Sequence, residues 1–431
     1  MGERHTATAR PRPKAKRSGK SEHPASRPRL RLLPSDRRPS AGEAAKVARV
    51  DLALLFGSAA FLTGMGLVMV LSAGSVSAAQ GYGGNSFWYF QRQVLYAVVG
   101  IAVAIFLARI EPKRWRMIGP PLLGIAAVLM AVAARPSSGT ALYGASRWID
   151  LGPLTIQPSE IAKLGLVATT ATILAKKWGR LHELGHVLIP LGPIVAVVAA
   201  LGLLQRDLGT TMILCSTVFV MLFVAGVSLR YLFTGGLIGA LAMASLIFGE
   251  AYRRTRFLEA WLDPWADPKS SGYQLIQGLI AIGSGGWFGT GLGTSRAKWD
   301  FLPNAHSDFI FAVIGEELGL IGALVVLAAF AVLIVAGIRI AIHARPTFER
   351  LLAAGVIAWI GVQAIVNLGA VTGLLPITGV PLPLVSFGGS ALVVTLAGVG
   401  VLASVARENG RSGPRRAAAA GVAGRSGKAA R

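Results

Sequence analysis

Five groups of polar side chains interrupt an otherwise apolar sequence. At or near membrane depth, a carboxylate can accept a proton and a cation can neutralise an anionic ligand. The groups are Arg147 with Asp150 in GASRWIDLG, Gln157 with Glu160 and Lys163 in IQPSEIAKLG, Gln205 with Arg206 and Asp207 in QRDLGT, Lys298 with Asp300 in AKWDFLPNAHSD, and Asp308. All but part of the second group are expected in outer loops or at outer helix ends, so any chemistry is predicted to face outward.

Asp308 belongs to the segment HSDFIFAVIGEELG, which begins an apolar run. From the residues alone, we interpret Asp308 as a helix N-cap whose carboxylate accepts free backbone N–H groups. Glu316 and Glu317 lie roughly 12 Å deeper along a helix, too far to share one proton transfer with Asp308. We interpret these two glutamates as a buried pair bonded to neighbouring helices.

The remaining motifs each allow a structural interpretation. Glu160 and Lys163 are spaced i, i+3 and form a local ion pair, unless Lys163 points into an outward cavity and binds an anion. Asp207 is predicted to cap the helix that follows it. The pairs Gly285–Gly286 and Gly388–Gly389 lack the spacing of a phosphate loop and indicate close packing or re-entrant backbone.

The composition is that of a polytopic membrane protein. Of 431 residues, 53% are hydrophobic and 15% charged, and the mean hydropathy is +0.58. The tails, residues 1–49 and 407–431, hold 16 of the 23 net positive charges. They are predicted to be disordered, to orient the chain and to attract anionic lipid, and no nucleic-acid ligand is expected.

We predict an all-α fold with about ten transmembrane helices within residues 50–406. The spans are 50–73, 88–109, 117–134, 159–176, 187–204, 208–226, 230–250, 309–338, 350–375 and 383–406. Cations collect in alternate loops, such as the loop with Lys113 and Arg114, which places both termini in the cytoplasm. The long outer loop 251–308, between helices 7 and 8, is predicted to be functional, and its run GYQLIQGLIAIGSGGWFGTGLG to dip into the membrane.

Five motifs in fixed order resemble the SEDS family of bacterial envelope proteins, which includes FtsW, RodA and SpoVE. They are GASRWIDLGPLTIQPSEIAKLGLV, QRDLGTTMIL, GYQLIQGLIAIGSGGWFGTGLG, LPNAHSDFIFAVIGEELGLIG and GLLPITGVPLPLVSFGGSAL. Two of them resemble FtsW of high-GC Gram-positive bacteria most. The family pattern has a basic residue where this chain has Thr155, and a proline where it has Arg206.

The resemblance implies a peptidoglycan glycosyltransferase that polymerises lipid II at the outer membrane face, at the division septum. It makes Asp308 the catalytic base, in place of a mere cap. The expected substrate-binding residues are Arg147, Glu160, Lys163, Asp207, Arg296, Lys298, His306 and Ser386. A class B penicillin-binding protein and divisome proteins are the implied partners. No firm cofactor is implied, although a divalent cation, Mg²⁺ or Mn²⁺, can accompany the pyrophosphate.

Three alternatives stay open. A lipid II flippase suits ten spans with intramembrane charge, although the sequence shows no inverted repeat or paired broken helices. A RodA-like polymerase would act in elongation instead of division. A non-catalytic scaffold would recruit neighbours through the tails.

Overall fold

The computed structural model describes residue 2 and residues 40–135, 140–142, 145–150, 155–181, 183–249, 254–255 and 257–429. Within these ranges the long helices are α1 Ala41–Gly81, α2 Trp88–Arg109, α3 Trp115–Ala133, α4 Pro158–Lys176, α5 Leu184–Leu204, α6 Leu208–Val224, α7 Leu229–Phe248, α8 Tyr273–Ser284, α9 Ile310–His343, α10 Thr347–Val371 and α11 Gly389–Ala429. Short turns of 3₁₀-helix, Pro112–Arg114 and Trp178–Arg180, and of π-helix, Leu258–Leu262 and Ala297–Phe301, lie between them.

Every predicted span falls on one of these helices. Among the described residues, eight helices are long and apolar enough to cross a membrane. Of the other two predicted spans, α6 has only 17 residues, and α4 carries the buried Glu160 and Lys163. The last predicted span starts too early, because residues 383–388 form a loop and α11 begins at Gly389. The protein is a multi-pass membrane protein, and the number and sidedness of its spans stay predictions.

The helices differ strongly in how much protein surrounds them. In α11, 94% of the most apolar stretch is buried, whereas in α7 the value is 6%. Small residues let the central helices approach closely, since a Cβ at Gly400 would lie 2.5 Å from the carbonyl oxygen of Ala104 on α2. The core therefore forms around α11, and α7 stands at the periphery.

Three short strands depart from the predicted all-α fold. β1 Thr140–Leu142, β2 Ala145–Asp150 and β3 Thr155–Ile156 form an antiparallel sheet, in which Asp150 pairs with Thr155. The aromatic and β-branched residues Trp148, Ile149 and Ile156 favour this conformation. The sheet leads directly into the proline that begins α4.

The termini differ in part from the predicted disordered tails. α1 begins within the N-terminal tail, where Ser40 and Glu43 form a reciprocal capping box. At the other end, α11 continues through 407–429 instead of ending near 406, which fits the helix propensity of its alanines. Residues 1 and 3–39 of the predicted N-terminal tail lie outside the described residues.

Candidate functional site

Asp308 lies at the end of a turn segment that leads into α9. The helix begins at Ile310 and its N-cap position is Phe309, whose side chain makes no capping hydrogen bond. The turns at 303–309 thus place Asp308 one residue before the N-cap position that was predicted for it. Asp308 is half-buried. A Cβ at Gly379 would lie 3.6 Å from its Oδ2, so the missing side chain there leaves room beside the carboxylate.

Three hydrogen bonds fix the main chain around Asp308. The carbonyl of His306 accepts from the N–H of Phe387 at 3.0 Å. The carbonyl of Ser307 accepts from Ser386 Oγ at 2.6 Å, and that of Asp308 accepts from Asn367 Nδ2 at 2.8 Å. Consecutive carbonyls held from two other elements restrict where the Asp308 side chain can point.

The loop 376–388 supplies two of these contacts and is itself anchored by buried amides. Asn367 Nδ2 also donates to the carbonyl of Val380 at 2.8 Å, and Gln363 Nε2 donates to that of Pro381 at 3.0 Å. Gln93 Nε2 donates to the carbonyl of Ser386 at 3.0 Å. The sequence analysis missed Gln93, Gln363 and Asn367. The sequence signal that could have identified them is an amide side chain within an apolar span.

Glu160 and Lys163 form the local ion pair that their spacing allows. Lys163 Nζ lies 2.8 Å from Glu160 Oε1, and both side chains are 1% exposed. Lys163 also donates to Gln363 Oε1 at 2.7 Å and lies over the ring of Trp359. The enclosed pair reaches the loop 376–388 through Gln363, which donates to the carbonyl of Pro381.

Arg147 and Asp207 form a second charged group. Asp207 caps α6 as predicted, accepting from the N–H of Thr210 at 3.1 Å. Its other oxygen accepts from Gln157 Nε2 at 3.2 Å, and Arg147 Nη1 lies 3.6 Å from its Oδ1. Arg147 Nη2 also donates to the carbonyl of Arg206 at 2.7 Å. Arg206 has a positive φ of 56°, which turns its carbonyl toward the strand that carries Arg147.

The Gly-rich run of the outer loop inserts into a break in α9. Gly319 has φ 68° and interrupts the helix. There the N–H groups of Thr290 and Gly291 donate to the carbonyls of Glu316 and Glu317 at 2.9 and 3.0 Å, and the N–H of Leu320 donates to that of Gly286 at 2.9 Å. At its break, α9 thus pairs with the backbone N–H and C=O groups of the Gly-rich run, which would otherwise need water at this depth.

Glu316 and Glu317 tie the next part of the loop to α9. The carboxylate of Glu316, 3% exposed, accepts from Ser295 Oγ and from the N–H groups of Arg296 and Ala297. Glu317 accepts from Ser72 Oγ of α1 at 2.6 Å and from the N–H of Ser295 at 3.3 Å. Both glutamates are buried as expected, but only Ser72 belongs to a neighbouring helix, and their other partners lie in the loop.

The predicted cations Arg296 and Lys298 are positioned by this arrangement. The Arg296 side chain is exposed and that of Lys298 is half-buried. Lys298 Nζ donates to the carbonyl of Gly293. Both cations belong to a segment whose main chain is bound to the helix that follows Asp308. The side chain of Asp300 is not among those the structure describes.

His306 contacts its neighbours as an aromatic ring and not as a charged group. Its ring stacks on Tyr89 with centroids 4.2 Å apart, and Phe387 meets it edge-on at 5.7 Å. Burial lowers the pKa of His306 to about 4. The imidazole is therefore neutral at pH 7 and contributes no positive charge toward an anionic substrate.

Together these groups place a carboxylate on a restrained main chain, the exposed Arg296, the half-buried Lys298 and neutral hydrogen-bonding loops on connected elements. Such a set can accept a proton from a hydroxyl and neutralise an anionic leaving group. Among the described residues, no group of three or more His, Cys, Asp or Glu side chains could hold a metal ion.

The sequence matches a known family over most of its length. The profile of FtsW, RodA and SpoVE, described as a cell cycle protein, matches residues 52–411. The probable peptidoglycan glycosyltransferase FtsW of Geobacter metallireducens is 41% identical over 84% of this chain and 95% of that protein. The stage V sporulation protein E of Bacillus subtilis is 39% identical over 83% and 97%. These relatives do not support the expected closeness to FtsW of high-GC Gram-positive bacteria.

Two solved structures share the fold. A chain of a peptidoglycan synthase complex, described as coordinating polymerization and crosslinking, has a TM-score of 0.68 and 31% identity, and covers 82% of this chain and 97% of its own. The rod shape determining protein RodA of Thermus thermophilus has a TM-score of 0.59 and 29% identity, with the same coverage. The chain therefore belongs to the FtsW/RodA/SpoVE family of membrane-embedded cell cycle proteins.

Proposed function

We propose that the protein is a peptidoglycan glycosyltransferase that polymerises lipid II into glycan strands at the outer face of the cytoplasmic membrane. The single observation that carries this proposal is the restraint on Asp308, whose main chain is held by Asn367 and whose neighbours are held by Ser386 and Phe387. Because the main chain that carries this carboxylate is fixed, the positions from which it can take a proton are restricted. Relatives at about 40% identity that are named peptidoglycan glycosyltransferases support the reaction class.

In the proposed step, Asp308 takes the proton of the acceptor sugar's 4-hydroxyl. The hydroxyl oxygen forms a bond to the anomeric carbon of the donor, and the bond from that carbon to the lipid pyrophosphate breaks with inversion. The electron pair leaves with the pyrophosphate, whose charge requires cations. Asp308 alone supplies the base.

The cations divide by exposure. Arg296 and Lys298 on the outer loop are the groups proposed to bind the pyrophosphate, and Arg147 is proposed to assist them. The enclosed Glu160–Lys163 pair instead positions Gln363 and the loop it holds, and Asp207 holds Arg147. A divalent cation, Mg²⁺ or Mn²⁺, would arrive with the pyrophosphate, which offers it oxygen ligands.

The proposed setting is the division septum, with a class B penicillin-binding protein as the partner that cross-links the new strands. The similarity to a chain of a peptidoglycan synthase complex supports a synthase partner. A RodA-like role in elongation is the alternative setting, which the similarity to RodA of Thermus thermophilus favours. Imaging of a fluorescent fusion distinguishes them, since label along the side wall would contradict the septal assignment.

The test is polymerisation of lipid II by the purified protein with its partner, comparing Asp308→Asn with Asp263→Asn. Asp263 is an exposed carboxylate of the same outer loop, so it controls for the loss of one negative charge. Asp308→Asn is expected to lose at least about 100-fold in rate, as when a general base is removed, and Asp263→Asn to polymerise normally. Normal polymerisation by Asp308→Asn would contradict the assignment.

One observation favours the flippase as a second candidate, because the broken helix α9 is a feature found in transporters. Here, however, the Gly-rich run fills the break. Lipid II supplied only on the outer leaflet separates the two activities, since glycan formed there requires no flipping. Transport without polymer would favour the flippase.

A further inference from the structure

A row of aromatic rings connects the exposed α1–α2 turn to the segment of Asp308. Tyr82 and Trp88 lie parallel, with centroids 3.5 Å apart and an interplanar angle of 7°. The guanidinium of Arg92 covers the ring of Trp88 at 4.3 Å. Tyr82 remains 41% exposed, so the face of its ring that Trp88 does not cover is open to a ligand.

Tyr89 carries this row inward. Its ring meets Tyr82 edge-on at 5.7 Å and Trp88 edge-on at 4.9 Å. It then stacks on His306 at 4.2 Å, two residues before Asp308. The exposed turn and the proposed reaction centre are thereby joined through consecutive ring contacts.

The segment that carries Tyr82, Trp88 and Tyr89 is polar but uncharged until Arg92. Residues 72–91 contain no Asp, Glu, Lys or Arg. Asn85 Nδ2 donates to Gln91 Oε1 at 3.5 Å, and both residues are exposed. A flat apolar ring bordered by amides and a guanidinium fits a sugar, which presents a C–H face together with hydroxyl and amide groups at its edges. This site does not fit a bare anion, because the guanidinium of Arg92 covers the ring of Trp88 and does not face a ligand.

We propose that the open ring face of Tyr82, which Trp88 and Tyr89 hold in place, forms a saccharide subsite that holds the glycan strand next to the reaction centre between additions. This inference rests on the proposed function, because the occupant is its sugar polymer. An open ring face at the end of the row holds a sugar of the strand, while the segment of Asp308 acts on the sugar at the other end. The subsite therefore keeps the product bound and favours repeated addition.

The experiment measures glycan binding separately from catalysis. Soluble, lipid-free glycan oligomers are titrated into the Asp308→Asn protein by calorimetry, alone and with Tyr82→Ala, Trp88→Ala or Phe87→Ala added. Phe87 is the matched control, since it is 54% exposed in the same turn and lies outside the row. Loss of Tyr82, or of Trp88 that holds its ring, is expected to weaken binding about three- to tenfold. Tyr82→Phe and Trp88→Phe are expected to restore it, and Phe87→Ala is expected to bind normally.

The second measurement is the length of the glycan strands made by variants that retain Asp308. Tyr82→Ala and Trp88→Ala are expected to release shorter glycan strands than Phe87→Ala. The subsite would be overturned if all variants bound glycan equally. It would also be overturned if Phe87→Ala lost as much binding as the other variants, since that result is expected of general anchoring at the membrane interface. If the parent protein forms no polymer, the proposed function fails, whereas the calorimetric comparison still decides whether the rings bind glycan.

Discussion

At the scale of single residues, buried amides restrain the main chain around the proposed base. Asn367 donates to the carbonyls of both Asp308 and Val380. Gln363 joins the enclosed Lys163 to the carbonyl of Pro381. These side chains touch no substrate in the proposed step, so they are positioning residues, and their loss should reduce turnover more than substrate binding.

We predict that Asn367→Leu lowers kcat with little change in KM for lipid II. The substitution leaves two carbonyls without a donor, at a cost of ~1–3 kcal/mol, which corresponds to about 5- to 150-fold in rate. Steady-state kinetics measure it, with Thr372→Ala, at the exposed end of the same helix, as the control. A change confined to KM would instead place Asn367 in substrate binding.

A pH dependence follows from His306. Its folded pKa of about 4 lies below the unfolded value of about 6.5, so the unfolded chain binds the proton more readily. His306 therefore causes stability to fall as pH drops from about 6.5 toward 4, and its neutral form gives full stability above that window. We predict that His306→Phe unfolds with a shallower dependence of Tm on pH than the parent between these values. Parallel curves would contradict it.

At the scale of elements, the break in α9 is the least helix-like feature of a long apolar helix. The sequence analysis predicted that the Gly-rich run dips into the membrane, because its composition is apolar and its glycines permit close approach. It did not predict that this run pairs with residues 316–321. Pairing of segments about 30 residues apart depends on tertiary contacts, which no local pattern records.

We predict that Gly319→Ala destabilises the protein and lowers polymerisation. Gly319 has φ 68°, and a Cβ there would lie 2.3 Å from the backbone nitrogen of Gly289, so both the helix and the inserted run must shift. Gly283→Ala in α8 is the control, since its Cβ would meet nothing within 4 Å. Tm and initial rates are the measurements. Equal behaviour of the two variants would show that the break tolerates a side chain.

Local rules worked where partners lie close in sequence. The cap at Asp207 and the Glu160–Lys163 pair were predictable from spacing, because both partners belong to one helix turn. The position of Asp308, one residue before the N-cap, was not predictable in this way, because contacts from α10 and the loop 376–388 set its turn. Gln93 was overlooked for the same reason, since its two partners lie almost 300 residues away.

At the scale of the whole molecule, each span predicted from hydropathy overlaps a helix, because lipid selects apolar side chains regardless of tertiary contacts. The same signal could not reveal the small sheet at 140–156 or the unequal burial of the helices. The sidedness of the membrane rests on loop cations alone.

We predict that both termini and the loop of Lys113 are cytoplasmic, and that the turn of Asn85 is outside. Cys215 is the only cysteine, so Cys215→Ser provides a background for single-cysteine labelling. A membrane-impermeant maleimide added to intact cells is expected to label Asn85→Cys and to label Lys113→Cys only after permeabilisation. The reverse pattern would invert the proposed orientation of the site.

The break at Gly319 has a mechanical consequence. It leaves Ile310–Leu318 as a short rod that follows directly on the proposed proton acceptor and, through Glu316, binds the main chain of the segment with the exposed cations. A push on this rod moves acceptor and cations together and preserves the spacing between them. A partner that pressed on α9 would therefore displace the proposed base and the cations together, as one unit.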